Sequence, residues 1–312
     1  MARGPRARTA PDAVVVVDKA AGMTSHDVVA RLRRIVGSRK VGHAGTLDPM
    51  ATGVLVLGVE RATRVLGYLM TTEKQYDATI RLGIATVTDD AEGEPTACVD
   101  TAAVSDAAIV SGVRALTGAI SQRPSSVSAI KVDGVRSYRR VREGEAVQLA
   151  ARPVTVSAFE VGTIRRSAQG FGQVIDVEVG VTCSAGTYVR ALARDLGDGL
   201  GVGGHLTALR RTRVGRYGLG LARTLEELAV TAEAGGPVGV PLVAAVQAQF
   251  GTVAVDAEWA ARVRHGNPVP LEALHADELP ADGVVGVVGP DGALLSLAQR
   301  RGPALWHLAV LS

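Results

Sequence analysis

The chain carries the stretch Lys40-Val-Gly-His-Ala-Gly-Thr-Leu-Asp48-Pro-Met-Ala-Thr-Gly-Val54, in which Asp48 is the only acid. Pro49 biases Asp48 toward an extended backbone, and the glycines permit tight turns and close backbone approach. The apolar run from Val54 to Val59 predicts a buried strand that would hold this loop. Local spacing alone leaves two interpretations open, a carboxylate presented for chemistry or an ordinary Asx turn.

The whole stretch resembles the catalytic motif of the tRNA pseudouridine synthase B family, which reads close to K-x-G-H-x-G-T-L-D-P-x-A-x-G-x-L. A second match precedes it, where residues 18–29 are similar to the family's D-K-P-x-G-x-T-S-x-x-V-V, with Ala20 at the usual proline. Segments 74–77, 128–134 and 183–190 follow in the family's order. Matches spread over roughly two thirds of the chain make chance a poor explanation.

The resemblance implies an α+β fold of the pseudouridine synthase type. Its central sheet is expected to be mixed and largely antiparallel, flanked by helices, and followed by a small β-rich module that resembles a PUA domain. We predict a catalytic domain at residues 1–240, with an RNA-contacting insertion at about 122–144, and a C-terminal domain at residues 241–312, because the segment from Thr231 to Pro241 is rich in small residues and proline.

Three residues carry catalytic roles by this resemblance. Asp48 is the essential carboxylate, acting either as a nucleophile or as the base that removes the ribose 2′ proton. Tyr76 stacks on the flipped uracil and helps to move the C5 proton, and Arg190 is the cation beside Asp48. The resemblance also implies substrate contacts at His43, Lys19, Lys40, Gly45, Thr46, Leu47, Lys131, Tyr188, Leu209, Arg210 and Arg211.

The pattern of the residues also allows plainer interpretations. Tyr76 and Leu209 fit core positions as well as they fit a uracil pocket. Arg190 fits a surface residue paired with Asp195 or Glu178.

Hydrophobic periodicity predicts several elements directly. Thr24 or Ser25 caps a helix that Gly37 ends, and Ser184 or Thr187 caps a helix that runs to Gly197. The remaining predicted elements are a strand from Tyr76 to Leu82 with Tyr76 facing inward, an acidic loop at residues 89–95, a helix from about Ser105 to Leu116, a strand from Val174 to Thr182, and a hairpin from Val284 to Leu297.

Composition favours a cytoplasmic globular protein. Cys98 and Cys183 are the only cysteines among 312 residues, so no disulfide framework is expected. No apolar run reaches the length of a membrane span, and no signal-peptide core follows the N-terminal arginines. We expect no metal, no cofactor, no obligatory protein partner and a monomeric state.

Basic residues form three clusters although the formal net charge is only +3. Clustered guanidinium groups suit a phosphate backbone, which predicts RNA contact, but an arginine-biased composition would produce similar clusters. The clusters are Arg31, Arg33, Arg34, Arg39 and Lys40; Arg136, Arg139, Arg140 and Arg142; and Arg210, Arg211, Arg213 and Arg216.

The resemblance implies an enzyme that isomerises uridine at tRNA position 55, in the T-arm loop, and that aids tRNA folding. Two alternatives remain, a tRNA-binding folding chaperone without catalysis and a guide-dependent rRNA pseudouridine synthase. The glycine run from Gly199 to Gly204 fits a dinucleotide fingerprint but follows a predicted helix, which favours a loop.

Overall fold

The computed structural model describes residues 10–126, 149–274, 279 and 283–311, together with the backbone of 131–132 and 135–136. Most of the predicted insertion at 122–144, including Arg139, Arg140 and Arg142, lies outside the described residues. The helices are α1 (Ser25–Val36), α2 (Leu66–Met70), α3 (Asp106–Ala115), α4 (Val189–Gly199), α5 (Leu225–Glu233), α6 (Leu242–Phe250) and α7 (Ala257–Arg264).

Strands make up the larger part of the architecture. They are β1 (Ala13–Lys19), β2 (Val41–His43), β3 (Thr52–Val59), β4 (Lys74–Leu82), β5 (Ile84–Thr86), β6 (Pro95–Cys98), β7 (Gly118–Gln122), β8 (Lys131–Val132), β9 (Val135–Arg136), β10 (Arg152–Gln169), β11 (Gly172–Cys183), β12 (Gly204–Val214), β13 (Tyr217–Gly218), β14 (Val240–Pro241), β15 (Thr252–Ala254), β16 (Val269–Pro270), β17 (Val284–Val288), β18 (Leu294–Arg301) and β19 (Ala304–Val310). The chain thus contains both helices and strands, as the predicted α+β class requires.

One structural unit comprises residues 1–48, 54–70 and 215–312. Its strands β14, β1 and β3 are neighbours, and β2 pairs antiparallel with β3. The run Val54–Val59 is buried throughout, which confirms the strand predicted from its unbroken apolar sequence.

Helix α1 forms as its sequence predicts. Thr24 closes a capping box with Asp27, and Gly37 ends the helix at a φ of 68°, which glycine adopts without strain. Val28 and Leu32 are fully buried, whereas Arg31, Arg33 and Arg34 are exposed. The helix therefore presents a basic face to solvent.

A separate five-stranded sheet lies at the C-terminal end of this unit, in the order β15-β17-β18-β19-β16. Strands β17 and β18 form the predicted hairpin, whose turn contains Gly292 at a φ of 75°. The predicted β-rich C-terminal module is confirmed, and the domain boundary at residue 240 stays a prediction.

The second unit comprises residues 49–53 and 71–214. Its strands follow the order β12-β4-β11-β10-β7, and all of these neighbours are antiparallel. Thr52 and Gly53 pair in parallel with Arg210 and Arg211 of β12, which makes the sheet mixed, as predicted. None of the helices in the described part of the chain is long and apolar enough to cross a bilayer.

Candidate active site

The loop that carries Asp48 is fastened from α1. The buried Ser25 hydroxyl donates to the carbonyl oxygen of Leu47 at 3.0 Å and accepts from the Leu47 amide at 2.9 Å. The adjacent Thr24 hydroxyl caps helix α1, so Thr24 holds the helix and Ser25 holds the loop. Both backbone groups of Leu47 are held. The backbone that leads into the half-buried Asp48 is therefore fixed in place.

The other predicted RNA-contacting residues of this unit differ in exposure. Lys19 is buried, and its ammonium donates to the carbonyls of Ala20 and Met23 at 2.9 and 2.7 Å, closing the turn before α1. Lys40 is exposed, with its Nζ 3.6 Å from a carboxylate oxygen of Glu60. His43 meets the ring of His26 edge-on at 5.6 Å. Gly45 has a φ of 97° and Thr46 is exposed.

Gly53 determines how the motif ends. Its φ is 97°, and a Cβ built there would lie 2.2 Å from the carbonyl oxygen of Arg211. No side chain fits at that distance, and a positive φ is unfavourable for other residues. The last glycine of the motif is therefore required by the pairing of β3 with β12.

We expect Gly53→Ala to destabilise the protein by about 2–4 kcal/mol, combining backbone strain with a clash against a buried strand. Activity should fall as well, since the loop between Asp48 and β3 must move. Urea unfolding and pseudouridine assays measure both effects. Gly67→Ala is the matched control, because a Cβ at this α2 position meets nothing within 4 Å; equal loss in both variants would contradict the argument.

Tyr76 lies on β4 between Val181 of β11 and Arg211 of β12. The strand alternates as predicted, with Tyr76, Ala78, Ile80 and Leu82 all buried. The position is equally compatible with a core tyrosine and with a pocket wall, so the stacking role of Tyr76 stays a prediction.

Strand β12 supplies three more predicted contacts. Leu209 is buried opposite Ala78, and Arg210 donates to the Thr52 hydroxyl at 3.3 Å. Arg211 is only 1% exposed, which differs from the surface phosphate contact expected of its cluster.

Lys74 is a buried cation that sequence reasoning missed. It precedes Tyr76 by two residues, so both side chains point to the same face of β4. Burial, aided by the nearby Arg211 charge, lowers the pKa of Lys74 to about 8. The sequence feature that could have identified Lys74 is its inward position in the alternating pattern of this strand. The two buried cations favour negative charge on this face of the sheet.

Arg190 lies in the first turn of α4, but the cap differs from the prediction. The helix begins after Tyr188, and neither Ser184 nor Thr187 caps it. Instead the Gln122 side chain accepts from the Tyr188 amide at 2.8 Å and donates to the Tyr188 carbonyl at 3.0 Å. The Ser184 hydroxyl accepts from the Thr155 amide at 2.9 Å. The N-cap residue Tyr188 is thus held through its backbone by a residue 66 positions away.

Arg190 is buried and paired with Asp90. Its Nη1 lies 3.2 Å from an Asp90 carboxylate oxygen and donates to the Thr88 carbonyl at 2.7 Å. The surface interpretation of Arg190 is wrong, and its two suggested partners, Asp195 and Glu178, pair with other arginines. The pairing of Arg190 with Asp48 stays a prediction.

The sequence predicts only an acidic loop at residues 89–95, which does not identify Asp90 as the partner of Arg190. The run does form turns, but Asp89 and Asp90 are both buried. The signal was indirect: an arginine in the first turn of a helix is disfavoured by the helix dipole and needs an anion.

Lys131 belongs to β8, which pairs with Val135–Arg136, and its side chain is outside the described residues. Burial raises the pKa of the Cys183 thiol to about 11, so this cysteine is a poor nucleophile at neutral pH. Among the described residues, no three His, Cys, Asp or Glu side chains could together hold a metal ion.

Two family models match this chain. The TruB family pseudouridylate synthase N-terminal domain matches residues 33–189, and the tRNA pseudouridylate synthase B C-terminal domain matches residues 190–235. A tRNA pseudouridine synthase B of Streptomyces griseus is 54% identical over 309 residues, covering 97% of this chain and 98% of that protein. The protein of the same name from Paenarthrobacter aurescens is 66% identical over 216 residues, 69% of either chain.

A solved structure of a Cbf5-Nop10-Gar1 complex contains a similar chain. It has a TM-score of 0.70 and 28% identity, and the match covers 97% of this chain and 86% of that chain. This similarity confirms the predicted pseudouridine synthase fold. Together with the family models and the relatives, it establishes that the chain belongs to the TruB family of pseudouridylate synthases.

Proposed function

We propose that this tRNA pseudouridine synthase acts on the uridine at position 55, in the T loop of tRNA, with Asp48 as the essential carboxylate. The proposal rests on one observation: the loop that carries the complete Asp48 motif is held in place, because Ser25 bonds to both backbone groups of Leu47 immediately before Asp48. Family membership supports the reaction and the tRNA substrate, and the motif supports the residue.

The reaction breaks the bond between N1 of uracil and C1′ of ribose, rotates the base, and forms a bond from C5 to the same carbon. C5 gives up a proton and N1 gains one, so atoms and charge balance without a redox partner. Asp48 serves as nucleophile or as base for the 2′ proton, and both roles require the ionised carboxylate.

A stacked uridine is out of reach, so the base must leave its loop before reaction. We propose that Tyr76 stacks on the flipped uracil, with Leu209 as an apolar wall and His43 entering the vacated place in the RNA loop. The buried positions of Tyr76 and Leu209 support apolar contact with a base.

The test incubates the purified protein with an unmodified T-arm transcript and maps pseudouridine chemically. We expect modification at position 55 alone and none when that uridine is replaced by cytidine. A silent wild-type protein would contradict the enzyme proposal, while refolding of tRNA without modification would favour the chaperone alternative. Activity that appeared only with an added guide RNA would favour the guide-dependent synthase.

Electrostatic binding gives a separate prediction. Arg34, Arg39 and Lys40 are exposed and lie next to α1 or the Asp48 loop. If each contacts one phosphate, replacing all three by alanine should reduce the slope of log affinity against log salt by about 2–3. Filter binding between low and high salt measures this slope. Arg114→Ala, an exposed arginine outside the clusters, should leave it unchanged; a flat slope for the wild type would contradict phosphate binding.

The monomeric state, the cytoplasmic location and a second role in tRNA folding remain parts of this proposal. They follow from the composition and the family resemblance. Sedimentation of the purified protein and refolding of unmodified tRNA test the state and the second role directly.

A further inference from the structure

Helix α4 presents two arginines to two consecutive aspartates. Arg190 and Arg194 are four residues apart and so lie on one face of the helix. Arg190 pairs with Asp90, and Arg194 Nη1 lies 3.2 Å from a carboxylate oxygen of Asp89. The turn at residues 89–90 is thus held to α4 by two ion pairs.

Arg194 also reaches the residues that lead into the insertion. Its Nη2 donates to the carbonyl oxygen of Arg123 at 2.7 Å, and its Nε donates to Asp195 at 2.9 Å. One guanidinium therefore connects three parts of this unit, using the forked geometry that lysine lacks.

The backbone of Asp89 is also held in a defined conformation. Asp89 has a φ of 60°, an uncommon conformation for a residue other than glycine, and its carbonyl accepts from the Leu206 amide at 3.0 Å. Burial raises the pKa of Asp89, and a hydrogen bond with Ser125 and the nearby guanidinium groups of Arg194 and Arg190 oppose that rise. Removing Arg194 would leave a buried carboxylate with less compensation.

Gln122 supplies the matching contact at the start of the helix, where it binds both backbone groups of Tyr188. Gln122 and Arg123 are consecutive, so the entry to the insertion is fastened to α4 at two points. Between these points lies Arg190, whose orientation depends on the same helix and the same turn.

We propose that Arg194 is a positioning residue for pseudouridine formation, which aligns Arg190 by locking the Asp89–Asp90 turn and residues 122–126 onto α4. This inference rests on the proposed function, since Arg190 is the predicted cation beside Asp48. Arg194 holds the Asp89 side chain and the Arg123 carbonyl, and through them the two segments that pack around Arg190.

The test compares Arg194→Ala, Arg194→Gln and Arg194→Lys in single-turnover assays on the T-arm transcript and in hydrogen exchange. We expect the rate constant of the alanine variant to fall about tenfold with KM changed less than about twofold, as misalignment without lost binding predicts. Amide exchange at residues 122–126 should rise. Lysine should restore part of both properties, because it can bond to Asp89 or to Arg123 but lacks the fork.

Arg165→Ala is the matched control, since Arg165 forms an exposed ion pair with Glu178 in the same unit. A wild-type rate and wild-type exchange in the alanine variant would overturn the proposal, as would a slowed rate with unchanged exchange. If the alanine variant does not fold, the glutamine variant, which retains a hydrogen-bond donor, is judged by the same criteria. A silent wild-type enzyme would instead refute the proposed function, and the exchange measurement would still decide the structural connection.

Discussion

Asp48→Asn is expected to abolish pseudouridine formation and to leave tRNA binding nearly unchanged. The amide has almost the same shape as the carboxylate, but it is neither a nucleophile nor a base. Loss of a group that forms a covalent intermediate or removes a proton costs at least about 10³-fold in rate. Release of tritium from C5 of the substrate uridine, measured in a single turnover, gives the rate directly.

The loop around Asp48 makes this variant a clean test. The Ser25 hydroxyl bonds to the backbone of Leu47, so the loop should keep its conformation when the side chain of Asp48 is changed. Melting temperature and tRNA affinity should therefore match the wild type. Asp198→Asn, at an exposed position in the last turn of α4, should retain full activity. An Asp48→Asn enzyme with the wild-type rate would remove Asp48 from the mechanism under either proposed role.

Local patterns predicted the elements whose determinants lie close together in sequence. Helix α1 begins and ends as predicted because Thr24, Asp27 and Gly37 act within a few residues of the helix they delimit. Strand β4 alternates because Tyr76 and its inward neighbours bury one face, which is a property of the strand itself. The C-terminal hairpin likewise depends on its own turn at Gly292.

Long-range contacts were beyond such patterns. The start of α4 is held by Gln122, which binds the backbone of the N-cap residue Tyr188 from 66 residues away, so the nearby Ser184 and Thr187 were misleading candidates. Likewise, the partner of Arg190 is separated from it by 100 residues in sequence, and an acidic run rich in turns is ordinarily exposed. Asp48 could be identified because a motif carries it, whereas Asp90 required knowledge of which loop meets the helix.

Asp90→Ala is expected to reduce both stability and activity. The side chains of Arg190 and Asp90 are 6% and 3% exposed, so removing the carboxylate takes a close anion away from a buried guanidinium. Breaking such a pair costs about 3–5 kcal/mol. The rate should also fall about 100-fold, because Arg190 loses the contact that orients it. Urea unfolding and single-turnover assays measure the two effects on the same preparation.

The double variant Asp90→Ala with Arg190→Met separates packing from chemistry. Replacing both charges by apolar groups avoids an unpaired buried ion, so part of the lost stability should return. Activity should not return, because the predicted cation beside Asp48 is gone. Recovery of both stability and rate would show that the pair is only structural. Recovery of neither would show that the losses come from altered packing of the site and not from an unpaired charge. The exposed pair of Arg165 and Glu178 is the control, since Glu178→Ala should change stability and rate little.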